Sequence, residues 1–516
     1  MRRIIFAFSF FGIILTGCSG DDSTDTNPTP PDNNDAFEIT ISSLPDVLEV
    51  TTVINISVDN TNTVNSTVFI DNTEIMSSQQ SEFSVEIDPF DYLNGNRVLR
   101  VEARDDDGNE SVETVNFELR KLLFVLTDLQ GSFDDFDVYI ALNTPEGVLI
   151  TSEQVTENSE HRFFAPDGFE RENFIVTRYL LGKDGTSGNA TSFVNVRPLT
   201  ETLSLAEIEA RRSPSGLPRD NSFDIDFTSV TESNRFFSIS GQKYSSQLTD
   251  FANNIRSETI NYNSSLDNPI FISTSTVVDN LANDLSNYRY TFISDLNDQT
   301  LDVNDLTLLN NASSVSIPDA NTFSLDVRAY FNQEDYELFD YQRIMDLRAS
   351  SGGLNPSDFN NTINIPVIQE FEIVQQVMTL TTDNSSFLIF RRGLDPISIP
   401  DWSVTFSNDE ININAQNSDI STIRERVQRD TGTFGWTSFV DNETDQISRI
   451  SLLVEVPTVV ENFFTSNLIN VNVLNSLDVD VFDYEQPITY ENFIFNGLLT
   501  QNERGDIDVG FFRLVN

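Results

Sequence analysis

From Phe37 to Leu119 the apolar residues recur at every second position in short runs, and polar turn residues separate those runs. Phe37, Ile39 and Ile41 alternate with polar neighbours. Val53-Ile54-Asn55-Ile56-Ser57-Val58, Thr67-Val68-Phe69-Ile70 and the set Phe83, Val85 and Ile87 follow. A period of two sends successive side chains to opposite faces of a strand, so each run predicts a strand with one face in a core and one in water. Asp71-Asn72, Asn94-Gly95 and Arg104-Asp105-Asp106-Asp107-Gly108-Asn109 supply the turns, and Val98 to Ala103 and Val115, Phe117 and Leu119 supply the closing strands. About seven such strands predict a two-sheet sandwich over residues 36–119.

Beyond Arg120 the alternation continues without a recognisable family character. Phe136, Val138 and Ile140, then Val148-Leu149-Ile150 after the turn Pro145-Glu146-Gly147, read as strands, as do Phe174-Ile175-Val176 and Phe193 to Val196. Three stretches predict short helices: residues 205–212, 245–256 and 420–428. An apolar-Pro turn precedes an alternating strand three times, at Leu217-Pro218, Ile317-Pro318 and Ile399-Pro400. These turns mark either unit boundaries near 217, 317 and 399 or ordinary loop-to-strand syntax. The alternation of Ile507, Val509 and Phe511 predicts a core strand at the C-terminus. The expected fold class is mainly β: an N-terminal sandwich, then a larger β-rich region over 120–516 with a few short helices.

The N-terminal end follows another pattern. Arg2-Arg3 precedes an apolar run from Ile4 to Leu15, which is too short to span a bilayer as a stable helix and ends at Leu15-Thr16-Gly17-Cys18. Residues 18–35, rich in Asp, Pro, Thr and Asn, have nothing to build a core from and read as an extended tether. Cys18 is the only cysteine, so an internal disulfide is excluded.

Two resemblances follow from these residues. Residues 1–18 resemble a bacterial lipoprotein signal, which implies that 1–17 are removed and that Cys18 carries acyl chains and anchors the protein to a lipid membrane. Asp21-Asp22 behind it resembles the signal that sends Bacteroidetes lipoproteins to the outer face of the outer membrane. The stretch Phe83 to Leu119, with Asn94-Gly95, Val101-Glu102-Ala103 and Asp107-Gly108-Asn109, resembles bacterial immunoglobulin-like modules. Arg97 and Val98 stand where those modules usually carry a histidine. The resemblance implies an Ig-like sandwich that acts as a spacer or attaches to partners.

Charge narrows the partners. With 81 acids against 30 bases the formal charge is -51, so the surface repels nucleic acid and anionic lipid headgroups. The acidity either keeps an exported protein soluble or collects divalent cations.

Little in the chain supports metal-free or zinc hydrolysis through histidine. The sole histidine, His161, lies between Glu160 and Arg162 and reads as a surface or turn residue; a triad and a zinc site both lack partners for it. Asp224 and Asp226, Asp478 and Asp480, and Asp506 and Asp508 are each two apart in strand-like sequence and share a face. Such a spacing suits a carboxylate-based glycan hydrolase, whose two acids stand about 5 to 9.5 Å apart, and equally suits a solvated sheet. Asp105, Asp107 and Asn109 place alternating oxygens in a glycine-containing turn, which fits either calcium or a braced turn. Trp436, in Gly432-Thr433-Phe434-Gly435-Trp436, is expected at a loop tip where its ring would stack on a ligand, whereas Trp402 is expected in the core. The function these features support is binding, adhesion or assembly with a surface complex, a glycan or an outer-membrane protein being the partner. The alternative is the carboxylate hydrolase.

Overall fold

A computed structural model describes residues 37–490 and 507–515, apart from 43, 61–63, 127–131, 199–217, 228–234, 247–248, 251–256, 277–284, 348–352, 384, 431, 442 and 485–488. The chain is mainly β, with an N-terminal Ig-like sandwich followed by a larger β-rich region holding a few short helices. It divides into two compact units. The first takes the described residues up to Asp46 together with Val53–Glu86 and Arg97–Phe117; the second takes Val47–Thr52, Ile87–Asn96 and the residues from Glu118 onward.

The first eight strands are β1 (Glu38–Ser42), β2 (Val47–Leu48), β3 (Thr52–Asp59), β4 (Val64–Ile70), β5 (Thr73–Ser78), β6 (Glu82–Ile87), β7 (Gly95–Asp105) and β8 (Glu110–Leu119). In the first unit one sheet has the order β1-β3-β6 and the other β8-β7-β4-β5. This division of strands between two antiparallel sheets is the Ig-like arrangement. The alternation read from the sequence sets the faces directly. Ile39, Ile54, Ile56, Val58 and Val85 are buried on one sheet, and Val64, Val68, Ile70, Leu99, Val101, Ala103 and Phe117 on the other. The antiparallel register Ile39↔Val58 and Ile41↔Ile56 fixes which residues of β1 and β3 share a face. A slip of one residue would turn the buried isoleucines to water.

In the second unit β2 runs parallel to the end of β8, pairing Val47 with Glu118 and Leu48 with Leu119. The main feature is a twelve-stranded sheet. Its strands, in spatial order, are Leu149–Val155, Phe136–Asn143, Phe174–Gly182, Gly188–Val196, Gly432–Asp441, Ile420–Arg429, Asn470–Tyr484, Ile507–Val515, Ser386–Arg392, Ile373–Thr381, Thr322–Tyr330 and Gln342–Leu347. Gly188–Val196 and Gly432–Asp441 pair in parallel. The C-terminal strand lies inside this sheet, as its alternation predicted, between Asn470–Tyr484 and Ser386–Arg392. Residues 218–308 contribute a smaller pair of sheets around their own core of Phe223, Ile225, Phe237, Tyr244, Ile260 and Ile272. The strands after the three proline turns enter three different sheets: Asn221–Asp226 a four-stranded one, Thr322–Tyr330 the twelve-stranded one and Ser403–Ser407 a three-stranded one.

One predicted helix is a strand, and the described part of a second contributes to short strands. Ile420–Arg429 is an interior strand of the large sheet, paired on both sides. Its β-branched Ile420, Thr422, Ile423 and Val427 favour a pleated surface over a helix. Of residues 245–256, Ser245 pairs with Asn261 and Thr249 with Phe237 as short strands; 247–248 and 251–256 lie outside the described residues. Residues 205–212 also lie outside them. The α-helices among the described residues are Gln333–Glu337, Ile450–Leu453 and Thr458–Ser466.

Candidate functional site

The outward face of β1-β3-β6 carries a groove of about 290 Å³ lined by Ser42, Asn55, Ile56, Ser57, Glu82, Phe83 and Ser84. Its construction follows from strand alternation. Ile56 and Phe83 point into the core, while Ser42, Asn55, Glu82 and Ser84 are exposed on the opposite face. Ser42 stands opposite Asn55 in the register, which brings β1 and β3 side chains together.

Asn55 sits at the centre. Ser84 Oγ donates to Asn55 Oδ1 at 2.7 Å, and Ser42 Oγ donates to the Asn55 carbonyl at 3.1 Å. Ser84 thus orients the carboxamide, and Ser42 is tied to the backbone beside it. The Asn55 amide hydrogens and the serine lone pairs remain the chemistry such a surface offers a ligand. Glu82 is the single charged lining residue, and none is basic. The lining therefore suits neutral donors and acceptors and disfavours anions. Val53, half exposed on the same face of β3, adds an apolar edge.

Trp436 is not at a loop tip. It lies within the Gly432–Asp441 strand with no solvent exposure, packs edge-on against Tyr179 at 5.6 Å between ring centres, and donates its indole N–H to Ser192 Oγ at 2.9 Å. The small residues before it (Gly432, Thr433 and Gly435) mimic a loop in sequence but alternate faces in a strand. Trp402 is buried as expected, donating to the Gln416 carbonyl at 3.0 Å. Among the described residues, the exposed large hydrophobics are all valines and leucines.

Asp105 and Asn109 close the turn between β7 and β8. Asp105 Oδ1 accepts the Asn109 N–H at 2.8 Å, and Oδ2 accepts the side-chain amides of Asn109 at 2.9 Å and Asn60 at 3.2 Å. Gly108, at φ +88°, makes the tight reversal that Asp107 leads into. Asp105 is itself buried, so its oxygens brace the turn from within. Among the described residues, no group of three or more His, Cys, Asp or Glu side chains is placed to hold a metal.

Asp224 and Asp226 lie in the four-stranded sheet, whereas Asp478, Asp480 and Asp508 lie on two neighbouring strands of the twelve-stranded one. Asp224 Oδ1 accepts from Thr259 Oγ1 at 2.6 Å, and the Asp224 N–H donates to Asp298 Oδ1 at 2.8 Å. Asp480 is buried and paired with Arg424. Burial pushes its carboxyl above the ordinary carboxylate value, Arg424 pulls it back, and Asp478 adds a smaller upward push. Asp506 and Cys18 lie outside the described residues. His161 opens the strand His161–Phe164, where its Nε2 accepts the Thr156 N–H at 3.0 Å and its Nδ1 stands 3.0 Å from Glu153 Oε1.

The groove was not singled out from sequence. A row of short polar side chains on the outer face of a sandwich reads like any solvated face, and only the three-strand register brings Ser42, Asn55 and Ser84 together.

No protein-family model and no curated protein matches the chain. Solved structures align over much of it. A Bacteroides ovatus protein of a mixed-linkage glucan utilization locus, SGBP-B, solved with a mixed-linkage heptasaccharide, aligns at 12% identity over 64% of this chain and 97% of its own, with a TM-score of 0.14. A tetra-tandem repeat from the extending region of a large adhesion protein aligns at 9% identity over 93% and 98%, with a TM-score of 0.13. A calcium-stabilized adhesin that helps an Antarctic bacterium reach out and bind ice aligns at 9% identity over 87% and 94%, with a TM-score of 0.14. Scores this low describe no common arrangement of whole chains, and no residue role follows from them.

Proposed function

We propose that this chain is a cell-surface binding protein, anchored in the outer membrane through acylated Cys18, that takes a neutral hydroxyl-bearing ligand such as a glycan segment on the β1-β3-β6 face. The observation that carries this reading is the groove around Asn55, where two serine hydroxyls and a carboxamide converge beside an apolar edge and no basic group. Ligand hydroxyls replace water at these groups one for one, so each bond adds only about 0.5–1.5 kcal/mol. The binding is correspondingly modest, and a chain presented in many copies on a membrane gains through multivalency. The anchor rests on residues 1–18 and sets where the groove works; it does not set what the groove binds.

The test is retention of the full chain on immobilised neutral, anionic and cationic polysaccharides. Retention on a neutral polymer that Asn55→Ala weakens about fivefold, the equivalent of roughly 1 kcal/mol, supports the reading. Retention on cationic polymers alone, or equal retention of the variant, overturns it. Anchoring is read separately: labelled fatty acid is expected on the wild type and lost in Cys18→Ser.

A further inference from the structure

Within the second unit, the sheets of residues 218–308 meet the Gln342–Leu347 strand through polar groups. Gly241 bridges Gln342, the Gln242 N–H donates to the Tyr341 carbonyl at 3.0 Å, and the Arg343 N–H donates to the Ser240 carbonyl at 2.8 Å. In this seam the Lys243 amine lies 2.9 Å from Asp340 Oδ2 and 3.1 Å from the Ser265 carbonyl. Asn268 Nδ2 donates to the same Asp340 Oδ2 at 3.5 Å. One carboxylate oxygen therefore touches an amine from one loop and a carboxamide from another.

The ion pair is largely shielded from water. The side chains of Lys243 and Asp340 are 14% and 3% exposed, and Asp340 Oδ1 is buried without a hydrogen-bond partner. Burial raises the Asp340 carboxyl, Lys243 and Asn268 work against that, and nearby Asp335 adds to it. Desolvation disfavours a charged pair with an unmatched carboxylate oxygen. Moving the proton from Lys243 to Asp340 removes both charges. It leaves a neutral amine, the nucleophilic form, and a carboxamide that bonds the same acid.

We propose that Lys243 and Asn268 are joined by an intramolecular isopeptide bond, with Asp340 as the catalytic proton shuttle. Lys243 Nζ attacks Asn268 Cγ, and a C–N bond forms. Asp340 takes the proton that Nζ sheds and delivers one to Nδ2; the Cγ–Nδ2 bond breaks and ammonia leaves. One amine and one carboxamide become one secondary amide and one ammonia, with no oxidant or reductant. The product removes the buried lysine charge. It also closes a covalent loop through the Ser257–Tyr262 strand, in a chain whose single cysteine can form no internal disulfide.

The experiment is mass spectrometry of the intact full chain beside Lys243→Arg, Asn268→Ala and Asp340→Ala, all from the same preparation, with peptide mapping after proteolysis. The expected wild type yields one branched peptide carrying Lys243 and Asn268. Apart from the mass of each substitution, every variant is expected to be heavier than the wild type by one ammonia. Recovery of the two wild-type peptides unlinked, with no ammonia difference from Lys243→Arg, overturns the bond. A branched peptide that persists in Asp340→Ala overturns the role of Asp340. The outcome is independent of the Asn55 groove, since neither measurement involves a ligand.

Discussion

Arg449 Nε lies 2.9 Å from Glu425 Oε2, and the two side chains are 2% and 0% exposed. The surrounding bonds explain how so dry a pair is tolerated. Arg449 also donates to Asp409 Oδ1 at 3.1 Å and to the Val471 carbonyl at 2.8 Å, while the Ser451 N–H and hydroxyl reach Glu425. The guanidinium fork and the carboxylate therefore have most of their hydrogen-bonding capacity met.

Removing one member leaves the other charge buried and uncompensated. Arg449→Met and Glu425→Ala are each expected to destabilise the chain by about 3–5 kcal/mol. Chemical denaturation followed by circular dichroism measures this. Because the two residues share one network, the double variant is expected to lose less than the sum of the singles. A loss under about 1 kcal/mol in either single variant would show that the pair is hydrated in solution.

Trp436 and Trp402 are the only tryptophans, and both are buried in the second unit. Intrinsic fluorescence is therefore expected to be blue-shifted and protected from acrylamide, and to stay unchanged when a ligand occupies the Asn55 groove. Trp436→Ala is expected to cost about 3–5 kcal/mol through the cavity it leaves. Ready quenching of the native protein would contradict this packing.

Asp480 gives a pH signature. Its folded carboxyl holds a proton more tightly than the unfolded one, because burial outweighs the pull of Arg424. The stability linked to this group is thus fully present below the ordinary carboxylate value and is lost as pH rises through the raised folded value. Relative to Asp480→Asn, the wild type is expected to gain stability as the solution is acidified from neutrality towards the carboxylate range. Urea midpoints of the two proteins across that range check the direction. Parallel curves would mean that the carboxyl behaves alike in both states.

The first sandwich was legible in the sequence because each strand has one wet face: Ile54, Ile56 and Val58 alternate with Val53, Asn55 and Ser57, and the period survives to the structure. The large sheet was less legible where strands are covered on both sides. Residues 420–428 read as a helix from the spacing of Thr422, Ile423, Arg426 and Val427, whereas Ile420–Ile423 are buried on both faces of a strand and the buried Glu425 is matched by Arg449, 24 residues away. Trp436 was misplaced for a related reason: the glycines around it signal a turn locally, while the strand Gly432–Asp441 continues through them and turns Trp436 into the core. The groove was invisible because its chemistry resides in a register. Ser42, Asn55 and Ser84 are ordinary polar residues until three strands align them.

The central claim is that the Asn55 groove is a ligand site, and calorimetric titration tests it most directly. A soluble neutral oligosaccharide is titrated into the full chain and into Asn55→Trp, which fills the groove from an exposed position and leaves the buried face of β3 unchanged. The expected result is saturable heat with the wild type and none with the variant, at equal thermal stability. Equal heats and affinities in both proteins would contradict the claim, as would no heat with any neutral oligosaccharide.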